Sequence, residues 1–406
     1  MTHSRLKILL TTPTYPPFNS GLGNAVQQQA KSLAERGCSV VVATGGDRRG
    51  QRVDPWSGAV IEEFDVRGAD SLLQPMSGSI QDYVQFLKDA CFDVVVMNAW
   101  QTWSTDLGLR NLDAISGRKF VYSHCISTNL ILGYQPLRSL IRYLAWRPYW
   151  WALTKKMCQL DGIIFLADRG GDSRFDDIKL ARRQGIKIAV IPNALSPSAL
   201  ASLEKPIPGF SERSQLIAVG SYDKQKGHDF VLRAYARSNA KNRMPLKIYG
   251  QRFTAFTESL RELASRLGLR AEFVSFHQGV SGDALLAEYS KSCLLLSGSH
   301  TECQPLVLLD AMATGTPFVA RATGCIPSLA GGVAVETEKM AVQTINQMLV
   351  DEDAWFCMSK DGASNARSKY HPDVVGDALM ALMQAGSTGC RTQSPDTRCH
   401  IRDRLA

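Results

Sequence analysis

The segment CLLLSGSHTECQPLVLLDAMATGTPFVA, Cys293 to Ala320, holds the residues whose types and spacing best fit chemistry. It reads as a buried strand, a loop, a helix opened by Pro305 and closed by Gly315, and a second buried strand, because Pro suits the first helical position and Gly the residue just past the end. Every large residue of the helix is apolar except Asp310, and Glu302 lies in the loop before its first turn. A lone carboxylate on so apolar a helix needs a partner. The amides of Leu306 and Val307 have no intrahelical acceptor and lie at the positive end of the helix dipole, where anions bind. Two acids with amides between them suit a sugar, a phosphate and a ribose held in a row. The same residues also fit a purely structural arrangement, with Glu302 capping the helix and Asp310 paired to a buried Lys or Arg.

The elements that must position these groups follow from the rest of the chain. Its 406 residues are 45% apolar and 21% charged, which excludes disorder, collagen and coiled coil as global classes and leaves room for two domains. Apolar runs alternate with helical patterns: LKILLTT, Asn24 to Arg36, CSVVVAT, FDVVVMN, KFVYS, DGIIFLA and IKIAVIPN. A second series follows, with QLIAVG, LKIYG, AEFVSF, CLLLSGS, TPFVA and GGVAV as strands. This pattern predicts an α/β protein of two Rossmann-like, doubly wound parallel-sheet domains facing across a cleft, with ligands at the carboxyl ends of the strands. The expected divisions are an N-terminal Rossmann-like domain 1–195, a Pro/Ser-rich linker 196–213 and a C-terminal Rossmann-like domain 214–370. A helix 371–386 packing back toward the N-terminal domain and a disordered basic tail 387–406 complete the chain.

The stretch from Glu302 to Ala320 resembles the E-x7-E signature of retaining GT-B glycosyltransferases of family 4, with Glu302 at the first acid and Asp310 at the second. In that family the first acid contacts donor-sugar hydroxyls and the second the ribose. Leu306 and Val307 match positions whose amides reach the donor. TYPPFNSGLGNAVQQQAKSLAERGCSVVVAT is similar to the N-terminal strand, Gly-rich loop and helix, which places Gly21 and Gly23 in the loop approaching the donor phosphates. AVGSYDKQKGHDFVLRAYA resembles the strand and loop whose lysine, here Lys226, binds the diphosphate, and KFVYSHCIST places His124 facing the donor sugar. Three departures stand out. Ser221 occupies the place of the usual diphosphate-binding Arg, with Lys224 or Arg252 as the candidate replacement; Asp310 is one methylene shorter than the usual Glu; and Cys303-Gln304-Pro305 replaces a glycine-containing loop.

The resemblance implies a retaining hexosyltransferase that needs no metal or other cofactor. Its donor is a nucleotide sugar, UDP- or GDP-hexose ahead of ADP-hexose, and its acceptor a glycan or lipid-linked molecule of bacterial surface polysaccharide or lipopolysaccharide assembly. Lys226 and the helix amides would stabilise the leaving diphosphate, and His124 would orient the sugar. Asp351-Glu352-Asp353 spells D-x-D but precedes a helix, and reads as N-terminal capping acids. Two other function classes compete: a non-catalytic nucleotide- or glycan-binding protein on the same fold, prompted by Ser221 and Asp310, and an NAD-dependent oxidoreductase, prompted by Gly21-Leu22-Gly23 but lacking the third glycine, where Val26 stands.

Net charge is +8, yet the span Ala114 to Leu160 alone holds seven cations and no acid. Within it, Arg138 to Met157 interleaves basic residues with Tyr143, Trp146, Tyr149, Trp150 and Trp151. This is either an anionic membrane contact or a helix whose Trp face docks on the N-terminal sheet, with Pro148 interrupting it. No nucleic-acid motif accompanies the charge. Ten scattered cysteines without metal-ligand spacing, and no apolar run long enough for a secretory or membrane segment, lead to the expectation of a cytoplasmic chain, peripheral at most on the inner face of the membrane.

Overall fold

A computed structural model of the chain describes residues 5–18, 20–69, 75–126, 128–169 and 172–385. Two sheets carry the architecture, parallel throughout except for the antiparallel edge strand Gly50–Val53. The first has eight strands in the order Ile188–Val190, Gly162–Phe165, Arg118–Ser123, Val94–Asn98, Lys7–Thr11, Ser39–Gly45, Val60–Phe64 and Gly50–Val53. Its central strand Lys7–Thr11 sets Leu9 opposite both Val41 and Val95, and all three strands are buried apolar runs covered by helices on both faces. The second sheet has six strands in the order Val274–Gln278, Leu246–Gly250, Gln215–Val219, Ser292–Ser297, Phe318–Arg321 and Gly332–Val335, every pair parallel. In each sheet the order reverses beside the first strand of its series, which opens the crevice where ligands lie in such folds.

The hairpin Gly50–Val53 with Val60–Phe64 was not expected from periodicity. Its polar alternation is that of an edge, where Arg52 pairs with Glu63 at 2.8 Å and Arg49 with Glu62 at 2.5 Å across the strands. The stretch between the two domains is also partly helical, at Pro197–Leu203, capped by the Ser196 hydroxyl. The last helix, Pro372–Gln384, returns to the first domain and packs on Gly21–Glu35. There Arg36 reaches Asp377 at 2.8 Å, and a Cβ on Gly376 would stand 2.0 Å from the Ser32 hydroxyl, so a larger residue would push the Ser32 and Arg36 side chains aside. The tail from 387 onward lies outside the described residues. Among the described residues no helix is long and apolar enough to cross a membrane.

Candidate active site

The helix Leu306–Ala313 starts at Pro305, and no side chain caps it; Leu306 and Val307 line the cleft, without the Glu302 cap that a structural reading allows. Gly315 ends it at φ 61°. Glu302 instead accepts from Lys226, with Nζ to Oε1 at 2.8 Å; the two side chains are 30% and 14% exposed, so the pair sits at the wall of the cleft rather than in the core. The loop carrying Glu302 is held by the Cys325 amide, which donates to the Cys303 carbonyl at 2.9 Å, and by Gly324 at φ 55°, whose missing Cβ would lie 2.0 Å from the Glu302 carbonyl.

Lys226 ends a tight turn, Lys224–Lys226, capped by Asp223, whose carboxylate accepts from the Lys226 amide at 3.1 Å and from the Ser221 hydroxyl at 2.5 Å. Gly227 follows at φ 61°, and a Cβ there would meet the Gly298 carbonyl at 2.0 Å, so this glycine is what lets the lysine turn lie against the loop leading to Glu302.

Asp310 accepts from the Ser196 hydroxyl at 3.2 Å, and among the described residues no Lys or Arg pairs with it. Desolvation on its apolar helix pushes its carboxyl up from 3.8 to about 7. His124, at the end of the strand Arg118–Ser123, makes one long contact to Asn98 Oδ1 at 3.4 Å, and burial lowers it from 6.5 to about 4, so the imidazole is neutral at physiological pH. The next residue, Cys125, has φ 62°, a conformation L residues adopt at a cost and one that concentrates at functional sites.

These groups line two adjoining cavities of ≈ 850 and ≈ 410 Å³ that share Gly21, Gly220, Leu306 and Val307 and so form one cleft between the domains. The larger holds Ser196, Ser221 and Asp310; the smaller holds His124, Lys226 and Glu302. An apolar hollow of ≈ 620 Å³ beside Ile207, Trp355 and Phe356 shares no residue with it. Gly23 departs from expectation. It lies inside the helix Gly21–Glu35 rather than in a phosphate loop, its amide is spent on the Ser20 hydroxyl at 2.9 Å, and it lines neither cavity. Lys224 and Arg252 are exposed and also line neither, so no cation replaces the missing Arg near Ser221 by that route. Asp351 does cap the helix Glu352–Lys369, accepting from the Ala354 amide at 2.9 Å.

Sequence reasoning missed the residues that join the two halves of the cleft. Arg174, buried in the first domain, holds Asp172 at 2.9 Å and reaches across to the His300 carbonyl at 2.9 Å and the Thr301 hydroxyl at 3.2 Å, directly ahead of Glu302. Gln304 Oε1 accepts from the Asn193 amide at 2.6 Å. No residue type or spacing near Arg174 or Asn193 marks them out, because their partners lie more than a hundred residues away.

The likeness of these two domains to known proteins matches this geometry. Residues 20–149 match the glycosyl transferase 4-like domain family and residues 213–351 the family of glycosyl transferases group 1. The fold is GT-B: the chain superposes with a TM-score of 0.71 on sucrose-phosphate synthase from Thermosynechococcus elongatus, at 16% identity over 94% of this chain and 99% of that one. Anabaena HepE in complex with UDP superposes at 0.67, with 16% identity over 94% and 100% of the two chains, and HepE is also solved with UDP-glucose. A D-inositol 3-phosphate glycosyltransferase of Streptomyces griseus is 41% identical over 70 residues, 17% of this chain and 15% of that protein. The matched segments span less than half the length of the first such relatives. Each domain thus carries its own glycosyltransferase family match, the 4-like domain over residues 20–149 and group 1 over residues 213–351, on a GT-B scaffold.

Proposed function

We propose that the protein is a retaining, metal-independent glycosyltransferase that moves a hexose from a nucleotide-diphosphate sugar to a glycan or lipid-linked acceptor, in the assembly of bacterial surface polysaccharide. The observation that carries the reading is the Lys226–Glu302 pair facing the amides of Leu306 and Val307 in one cleft, with Asp310 further along the same helix. HepE structures with UDP and UDP-glucose support UDP as the nucleotide.

In the proposed reaction the bond from the anomeric carbon to the diphosphate oxygen breaks while the acceptor hydroxyl bonds to the same face of the sugar. The acceptor proton passes to a phosphate oxygen, and the glycoside and nucleoside diphosphate leave. Lys226 and the two amides meet the negative charge growing on the diphosphate, and such preorganised donors are worth a few kcal/mol each (~3). Glu302 orients sugar hydroxyls and steadies the positive charge on the ring. His124, neutral and depressed to about 4, serves as a hydrogen-bonding group and not as a base.

The test is thermal unfolding with UDP, GDP and ADP sugars, then product analysis by NMR. Stabilisation by one nucleotide class, lost in Lys226→Ala, with a product of the donor's anomeric configuration, is expected. Inverted product refutes the retaining course. A folded protein that neither binds nor hydrolyses any donor at millimolar concentration refutes the transferase and leaves a glycan-binding protein.

A further inference from the structure

The basic aromatic segment is two helices, Pro136–Ala145 and Arg147–Met157, with Pro148 in the first turn of the second. The second helix docks much as a Trp-inward helix would: Trp146 and Trp150 are buried in the first domain, and the Tyr149 hydroxyl donates to Asp106 at 2.7 Å. The first helix does the opposite. Its one buried residue is Ser139, whose hydroxyl donates to the Gln135 carbonyl at 2.7 Å and accepts from the Leu132 amide at 3.1 Å. Roughly opposite Ser139 on the helical wheel, Leu137, Leu140, Ile141 and Leu144 recur at the i, i+3, i+4, i+7 spacing of an apolar face. All four are exposed, Leu137 at 70% and Leu144 at 58%. Trp151 adds 72% exposure from the second helix, and Arg138 and Lys155 are exposed beside them.

We infer that this outward face is a docking surface for an anionic lipid bilayer, with the leucine stripe and Trp151 entering the headgroup boundary and the flanking cations meeting lipid phosphates. An apolar face of this kind with aromatic and basic flanks is the chemistry of an interfacial helix. Charge selects the occupant. The two helices carry five cations, Arg138, Arg142, Arg147, Lys155 and Lys156, and no acid, so a second copy docking on this face would set like charges against each other across a two-fold axis. A bilayer of anionic lipid supplies the missing counter-charge. The surface also adjoins the cleft: the Tyr134 ring, two residues before the helix, packs against His300 with centroids 4.5 Å apart and planes tilted by 48°, and His300 is two residues before Glu302. A membrane on this face therefore lies beside the loop that carries the candidate catalytic acid.

The experiment is co-sedimentation of the full chain, without donor, on vesicles containing about one-third phosphatidylglycerol and on pure phosphatidylcholine. Binding to the anionic vesicles should be at least about tenfold stronger, weaken with salt, and fall at least about tenfold in Leu140→Ser/Leu144→Ser. Arg138→Gln/Lys155→Gln should retain weaker, less salt-sensitive binding. Unchanged thermal unfolding of these surface variants shows that they fold. The inference is overturned if anionic vesicles bind no better than neutral ones, if the Leu140→Ser/Leu144→Ser variant binds as the parent does, or if the parent is a dimer that this variant dissociates. None of these readings depends on sugar transfer, so the surface and the reaction fail separately.

Discussion

Replacing Asp310 with Asn is expected to make the protein more stable and a poorer binder of its donor, because one carboxylate is costly to the fold and useful to the site. Its pKa rises from 3.8 to about 7 on folding. The folded state therefore holds a proton over that interval which the unfolded chain has lost, and stability falls as pH rises from about 4 to about 7, then levels. At about 1.36 kcal/mol per pH unit the full displacement is an upper bound of about 4 kcal/mol. Asp310 is partly open to the cleft, and solvent screening brings the expected effect to roughly 1 to 2 kcal/mol. Asn keeps an oxygen for the Ser196 hydroxyl and cannot ionise. For a domain of this size, its melting temperature should exceed the parent's by about 3 to 6 °C at pH 8. The gap should narrow toward pH 5, as read by scanning fluorimetry across the range. Donor affinity should move the other way: in the parent it should rise as pH passes through about 7, since the ionised acid is the better acceptor for ribose hydroxyls, and in the variant it should be lower and flat. Parallel melting curves for the two proteins at every pH would refute the claim that ionised Asp310 is the strained group.

Glu302→Gln should keep the fold but lower turnover by roughly a hundredfold or more, read as nucleoside diphosphate release; activity within a few-fold of the parent would remove Glu302 from the chemistry. Arg174→Met breaks the Asp172 pair and both contacts across the cleft, so it should cost about 2 to 4 kcal/mol in denaturant unfolding and lower kcat more than it raises donor KM. A stability loss with kinetics unchanged would make Arg174 structural only. Gly227→Ala puts a methyl group 2.0 Å from the Gly298 carbonyl at a positive φ, so it should cost at least about 2 kcal/mol or displace Lys226 enough to abolish donor stabilisation, as measured by thermal shift.

What could be read without coordinates was local. The helix Leu306–Ala313 carries its own evidence in consecutive residues, a proline, an apolar run with one acid, and a glycine, so both acids and both amides were legible together with the two parallel sheets. Pairings were not. That Lys226 reaches Glu302 depends on how the loops of the second domain fold together, that Ser196 reaches Asp310 on how the linker lies against that domain, and that Arg174 reaches Thr301 on how one domain is set against the other; nothing within a short window encodes any of them. Two misplacements have the same origin. Gly23 looked like a phosphate-loop glycine by its neighbour Gly21, yet the Ser20 cap draws both into the first helical turn and leaves Gly21 alone at the cleft. The segment from Arg138 to Met157 showed an amphipathic pattern, but periodicity specifies that a helix has two faces and not which one the protein covers. Here the packing divides the pattern, with Trp146 and Trp150 turned inward, and the leucines of the first helix and Trp151 of the second turned outward. An uncovered stripe of that size would have been a liability for an enzyme acting wholly in solution, since exposed apolar patches drive self-association. Its cations oppose self-association, and in the proposed docking the same residues that make the stripe tolerable would also attract the anionic lipid.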